Sequence, residues 1–130
     1  MPHNNPKALR ISLIAFGIAF LMVYPLMIVW PSGWAWQPGQ REYEQMIVGI
    51  YATLGFFLLW ASQKPEAHLS LIWFTAWSSA VHGGIMAVQA IVDPAERGHL
   101  PGDVAALLLV AVVLALLTPR GVEARVGASD

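Results

Sequence analysis

Four apolar runs, each long enough to cross a bilayer and each nearly free of charge, constrain this chain more than anything else in it. A hydrocarbon core of about 30 Å needs about 20 residues of helix. The runs cover about 6–30, 43–62, 68–92 and 101–118. Charge is scarce and confined to the gaps between them. Only 12% of the 130 residues are charged, about half of what a soluble domain carries. In lipid every backbone N–H and C=O needs an internal partner, so a chain without barrel-like alternation has to cross as helices. The expectation is therefore an all-α, single-domain integral membrane protein spanning 1–130. Short connections make it an up-and-down four-helix bundle.

The ends of the runs carry recognisable signals. Asn5 is placed to cap the first helix, with Pro6 at its first position. Pro25 removes a backbone bond to Leu21 and should kink the outer third of that span. Pro31 and Gly33 end it. Lys7 and Arg10 resemble the charged start of a signal peptide. The apolar stretch is about twice too long for one, however, and Trp34 and Trp36 stand where a cleavage site wants small residues. The second span stops before Pro65 and the third at Asp93-Pro94. The fourth starts near Pro101 or Asp103, whose carboxylate suits a helix N-terminus. It is the shortest span, and the tail after Pro119 is expected to be loose.

Five of the seven basic residues, Lys7, Arg10, Lys64, Arg120 and Arg125, fall in the two tails and the second loop. The first loop has Arg41 and the third Arg97. The positive-inside rule then puts both termini in the cytoplasm and the first and third loops outside. Trp30, Trp34 and Trp36 would belt the outer interface, and Trp60 and Trp73 the inner one. Stacking of a ligand on the Trp34/Trp36 pair is the other reading of those rings.

Intramembrane polarity concentrates on the third span: Thr75, Ser78, Ser79, His82 and Gln89. Helical steps put Thr75, Ser78, His82 and Gln89 on one face. Rows of small residues, Ala76/Ala80/Gly84 and Thr75/Ser79/Gly83/Ala87, let neighbouring helices approach closely. The third span should thus be the central packing element, buried on more than one side. His82 lies near mid-membrane, where an ionisable side chain marks a functional site unless it is merely satisfied by a neighbour. At similar depth stand Thr53 and Tyr24, with Tyr51 further out. Glu44, Gln45 and Gln89 could form a polar entrance above it, although Glu42 and Glu44 also suit the start of the second helix. The candidate ligand-binding residues are His82, Ser78, Gln89, Glu44, Tyr51 and Thr53. The site they imply lies between the second and third helices. His68 reads as a helix-start residue, and His3 and His99 as tail and loop residues.

Several chemistries are excluded. There is no cysteine, so no disulfide, thiolate site or iron–sulfur cluster. His68 and His82 are about 21 Å apart along one helix and cannot share a haem within one chain; a dimer pairing two His82 residues would remain. No Glu-x-x-His lies inside a span, and no phosphate loop or nucleophile elbow occurs. No catalytic residue, metal or cofactor is expected. A net charge of -1 gives no surface for nucleic acid.

The stretch Glu42–Ala90 resembles small four-helix bacterial membrane proteins of the broad DoxX-like group. The likeness rests on Glu44 entering the second span, the pair Tyr51-Ala52, Gly55, and the turn Pro65-Glu66-Ala67-His68. It implies the fold and a bacterial inner membrane, and no activity. Three functional readings remain. The first is an accessory or assembly subunit, with other membrane subunits or further copies of itself as partners alongside lipid. The second is a small-molecule or lipid-binding protein, or a small transporter, using the face around His82. The third is a quinone-linked redox component.

Overall fold

In the computed structural model, residues 5–35 and 41–120 are described. Among them the chain is helical throughout, with no strand. Helix α1 runs Pro6–Leu21, α2 Val23–Val29, α3 Pro31–Trp34, α4 Arg41–Ala61, α5 Leu69–Val92 and α6 Ala105–Leu117. A short 3-10 turn, Pro65–Ala67, joins α4 to α5. A second 3-10 segment, Pro94–His99, and a π-helical turn, Leu100–Val104, lead into α6.

The caps follow from the sequence. The Asn5 side chain accepts a hydrogen bond from the Ala8 N–H at 3.1 Å, with Pro6 just inside the helix. The first span bends by 54° between α1 and α2. The break is at Met22, three residues before Pro25, because a proline ring clashes with the turn that precedes it. Asp93 terminates α5, and its side chain caps the 3-10 segment by accepting from the Ala95 N–H at 2.9 Å. Expectations placed on His3, Trp36 and Arg125 fall outside the described residues.

Helices α4 and α5 are each long and apolar enough to cross a membrane, as is the unbroken stretch Pro94–Leu117; α1 and α2 together make a fourth, bent candidate. Helix α6 alone, at 13 residues, is only about 20 Å long. The irregular turns before it therefore reach membrane depth. Irregular backbone is tolerated there only where it is covered by protein or lines a cavity.

The long helices form two tight pairs. Helix α1 packs on α4, and α5 on α6. The pairs meet mainly along α1 and α6, whereas α4 and α5 hardly touch. Glycine makes the first pair close. A Cβ added to Gly55 would sit 2.6 Å from the Gly17 carbonyl oxygen, and one on Gly17 would meet the Gly55 oxygen at 2.9 Å. In the second pair, the row Thr75, Ser79 and Gly83 is buried, and Gly83 lies directly against Leu107. The other small row ends at Gly84, which has nothing within 4 Å. Helix α5 thus buries one continuous face, Ile72, Thr75, Ala76, Ser79, Gly83, Met86 and Ala90. It is not the doubly buried centre that its two small rows implied. Leu13, Leu58, Ile72 and Leu114 are fully buried. Large side chains such as Val29, Phe74, Trp77 and Leu116 face outward, as lipid contact requires.

Candidate functional site

The loose contact between α4 and α5 leaves a cavity of about 350 Å³ in the half of the bundle that holds α2 and α3. All four spans contribute to it. Phe20 and Val23 come from the first, Glu44, Val48 and Tyr51 from α4, His82, Met86 and Gln89 from α5, and Asp103, Leu107 and Val110 from the last. Trp34 closes its loop end. The wall is mostly apolar, with a few polar groups converging on it, which is the make-up of a small-molecule site.

A ladder of rings crosses this space. Phe20 stacks on Tyr51 with centroids 5.2 Å apart and planes at 15°. Tyr51 stacks on His82 at 5.9 Å and 6°. The Tyr51 hydroxyl and His82 Nδ1 share a hydrogen bond of 2.5 Å. When the hydroxyl donates it, Nδ1 accepts and the ring's proton sits on Nε2. This bond ties α4 to α5 where little else does.

Two of the residues that line the cavity carry a polar atom without a partner. The Trp34 indole Nε1 and the Glu44 Oε1 are buried and make no hydrogen bond. One is a donor and the other an acceptor. A buried polar atom left without a partner costs on the order of 1–3 kcal/mol. A second, shallower hollow of about 630 Å³ lies outside, between α2 and α4, bordered by Tyr24, Ile28 and Gln45. It shares Met27, Glu44 and Val48 with the main cavity. Glu44 therefore stands at the partition between the cavity and the flank of the bundle.

Of the residues singled out in the sequence, the structure brings His82, Tyr51, Glu44 and Gln89 to this cavity. Ser78 and Thr53 are not among its lining residues. Ser78 donates to the Thr75 carbonyl of its own helix at 3.3 Å, and Thr53 is exposed and donates to the Gly49 carbonyl at 2.8 Å. Tyr24 is also exposed. His82's partner is Tyr51, the residue expected further out, because the rise along two helices that lean apart is not shared equally. The site sits among four spans rather than between the second and third alone.

One group escaped the sequence reading. His99, taken for a loop residue, is only 6% exposed. Its Nδ1 lies 3.0 and 3.1 Å from the two carboxylate oxygens of Asp103. Its Nε2 lies 3.4 Å from Glu96 Oε2. Asp103 also accepts from the Val104 N–H at 3.0 Å. Its expected capping role is thus joined by a pairing with His99. The i, i+4 spacing of His99 and Asp103 was the available signal. It was hidden because His99 reads as loop and Asp103 as the start of the fourth span. Gly102 is non-helical (φ -96°, ψ -114°) and sits so close to the Gly33 carbonyl that no side chain fits there. That contact clamps α3 onto the turn before α6 and buries His99 beneath the end of the bundle.

An all-helical chain with several helices able to cross a membrane, built round an internal cavity with a sparse polar lining, is a multi-pass membrane protein by construction. It belongs to a family of unknown function, DUF6632, which matches residues 4–128. No curated protein and no solved structure matches the chain.

Proposed function

We propose that this protein binds a small amphiphilic molecule in the cavity between its helix pairs, taking it from the surrounding lipid. The supporting observation is a mostly apolar cavity of about 350 Å³ whose lining residues include Trp34 and Glu44, each with a buried polar atom, Nε1 and Oε1, that has no partner. A head group carrying both a donor and an acceptor, such as an alcohol, phenol or amine, answers both atoms at once. A quinone presents acceptors only, so it would answer Trp34 Nε1 and bring no donor to Glu44 Oε1. The hollow beside α2 gives a sideways route past Glu44. An accessory subunit has no need of an internal cavity, which favours the binding reading over that one.

We take the chain to cross a bacterial inner membrane four times with both termini in the cytoplasm, as the charge distribution and the DoxX-like resemblance suggest. The cavity then lies in the outer half of the membrane.

Native mass spectrometry of the protein purified in mild detergent tests the proposal. The wild type is expected to carry a bound molecule of one mass class. Ala106→Phe, which puts a ring into the cavity from α6, should lose it, and Glu44→Gln should hold it less tightly. A wild type that carries nothing and takes up no alcohol, phenol or amine amphiphile from mixed micelles would sink the idea.

A further inference from the structure

We infer that Glu96, His99 and Asp103 form a proton relay from the loop end of the bundle to the internal cavity. The three groups are strung in a line. Glu96 is the outermost, with its side chain 21% exposed. His99 is buried and has a carboxylate on each side, Glu96 Oε2 at 3.4 Å from Nε2 and Asp103 Oδ1 at 3.0 Å from Nδ1. Asp103 is buried and lines the cavity. Across the cavity, Glu44 and Tyr51 face it from α4, and His82 from α5. Arg97, on the same turn as Glu96, is exposed.

Imidazole is the one side chain that can take a proton on one nitrogen and release a different one from the other. In the step proposed, a protonated Glu96 transfers its proton to His99 Nε2, which makes the ring an imidazolium. The Nδ1 proton then passes to the Asp103 carboxylate, leaving a neutral ring protonated on Nε2. Tautomer exchange resets the ring. One N–H and one O–H bond form as one O–H and one N–H bond break, and a single proton has moved from Glu96 to Asp103. From there Glu44 and the Tyr51–His82 pair are the titratable groups that share the cavity.

A purely structural role, tying the 3-10 segment to the π turn, is the competing account. A metal site is the other use of such residues, but among the described residues no three His, Asp or Glu side chains are gathered so as to hold an ion. The backbone supports the relay. The 3-10 segment and the π turn that follows it bring Glu96, His99 and Asp103 together, with His99 and Asp103 both buried. Such π turns recur at functional sites.

The test uses the full chain in lipid nanodiscs without any added ligand, so it stands or falls separately from the binding proposal. Protons are released by a flash from a caged acid. Time-resolved infrared difference spectra then follow the Asp103 carboxyl band and the band of isotope-labelled His82. In the wild type both bands should respond together and fast. In His99→Gln, which keeps hydrogen-bonding groups but cannot shuttle a proton, both responses should slow by about tenfold or more while helicity is unchanged. Glu96→Gln, on the partly exposed side chain, should slow them likewise and serves if His99→Gln fails to fold. Responses in the variants as fast as in the wild type would overturn the relay, as would a wild type in which neither band responds. Full rescue by glutamine would reduce His99 to a structural tie.

Discussion

The approach of α1 to α4 is close enough for a single methyl group to break it. Alanine at position 55 places a methyl group 2.6 Å from the Gly17 carbonyl oxygen, with the Leu21 side chain and backbone nitrogen at 3.1 and 3.2 Å. That is about 0.8 Å inside the 3.4 Å at which ordinary contact begins. The obstacle is backbone, so no rotamer change relieves it, and α1 and α4 must separate. Overpacking of this kind costs about 1–3 kcal/mol, and every other contact along the pair is loosened with it. Alanine also gains up to about 1 kcal/mol of helix propensity over glycine, so Gly55→Ala should lose roughly 1 kcal/mol net, and about 2 kcal/mol at most. A Cβ added to Gly49, earlier on α4, or to Gly84 on α5 would meet nothing within 4 Å. Their alanine variants gain the propensity without the clash and should be neutral or slightly stabilised. Loss of helical circular dichroism on titration with SDS in mixed micelles ranks the three. Equal midpoints for Gly55→Ala and Gly49→Ala would show that the α1–α4 approach is not set by these glycines.

The Tyr51–His82 bond should be visible as a coupling. A double-mutant cycle of Tyr51→Phe and His82→Phe in the same unfolding assay is expected to return about 1 kcal/mol, and a value under roughly 0.2 kcal/mol would mean that the bond does not hold α4 to α5. At the start of α1, Asn5→Ala should remove about 1 kcal/mol from the first turn, read as faster amide hydrogen exchange at Ala8, with no change in exchange at α5 or α6.

The parts of this architecture that were legible in the sequence are those decided by local chemistry. Hydrophobic length places the spans, Asn5 and Pro6 start the first, Pro25 bends it, and Asp93-Pro94 stops the third. The row Thr75/Ser79/Gly83 was readable as a contact face because close packing in lipid selects small residues at helical spacing. Which partner each face would meet was not readable. The Gly17–Gly55 contact needs two residues from different helices at matching depth, and neither has a pattern of its own. His99 was unreadable for a related reason. Its burial depends on Gly102 lying against Gly33, a contact between segments that each look like loop.

The pairing of the helices and the presence of the cavity have one cause. Backbone-close contacts in the α1–α4 pair (Gly17 with Gly55) and the α5–α6 pair (Gly83 against Leu107) draw each pair tight. Toward the loop end, the residues between the pairs are bulky: Phe20, Tyr51, Met86 and Trp34. Two tight pairs separated by large side chains cannot also close on each other along α4 and α5. The space left over must be spanned by side chains, and the ring ladder from Phe20 through Tyr51 to His82 does this. The polar groups of the fold then collect there because the alternative is lipid, where an unsatisfied carboxylate or imidazole is far more costly. Glu44, His82 and Asp103 come from three different spans, yet each faces this one volume. A cavity needed only to accommodate mismatched packing would be lined by apolar atoms. The gathering of three ionisable side chains around it, two of them already hydrogen-bonded and one with an oxygen still unpartnered, is what the binding proposal rests on.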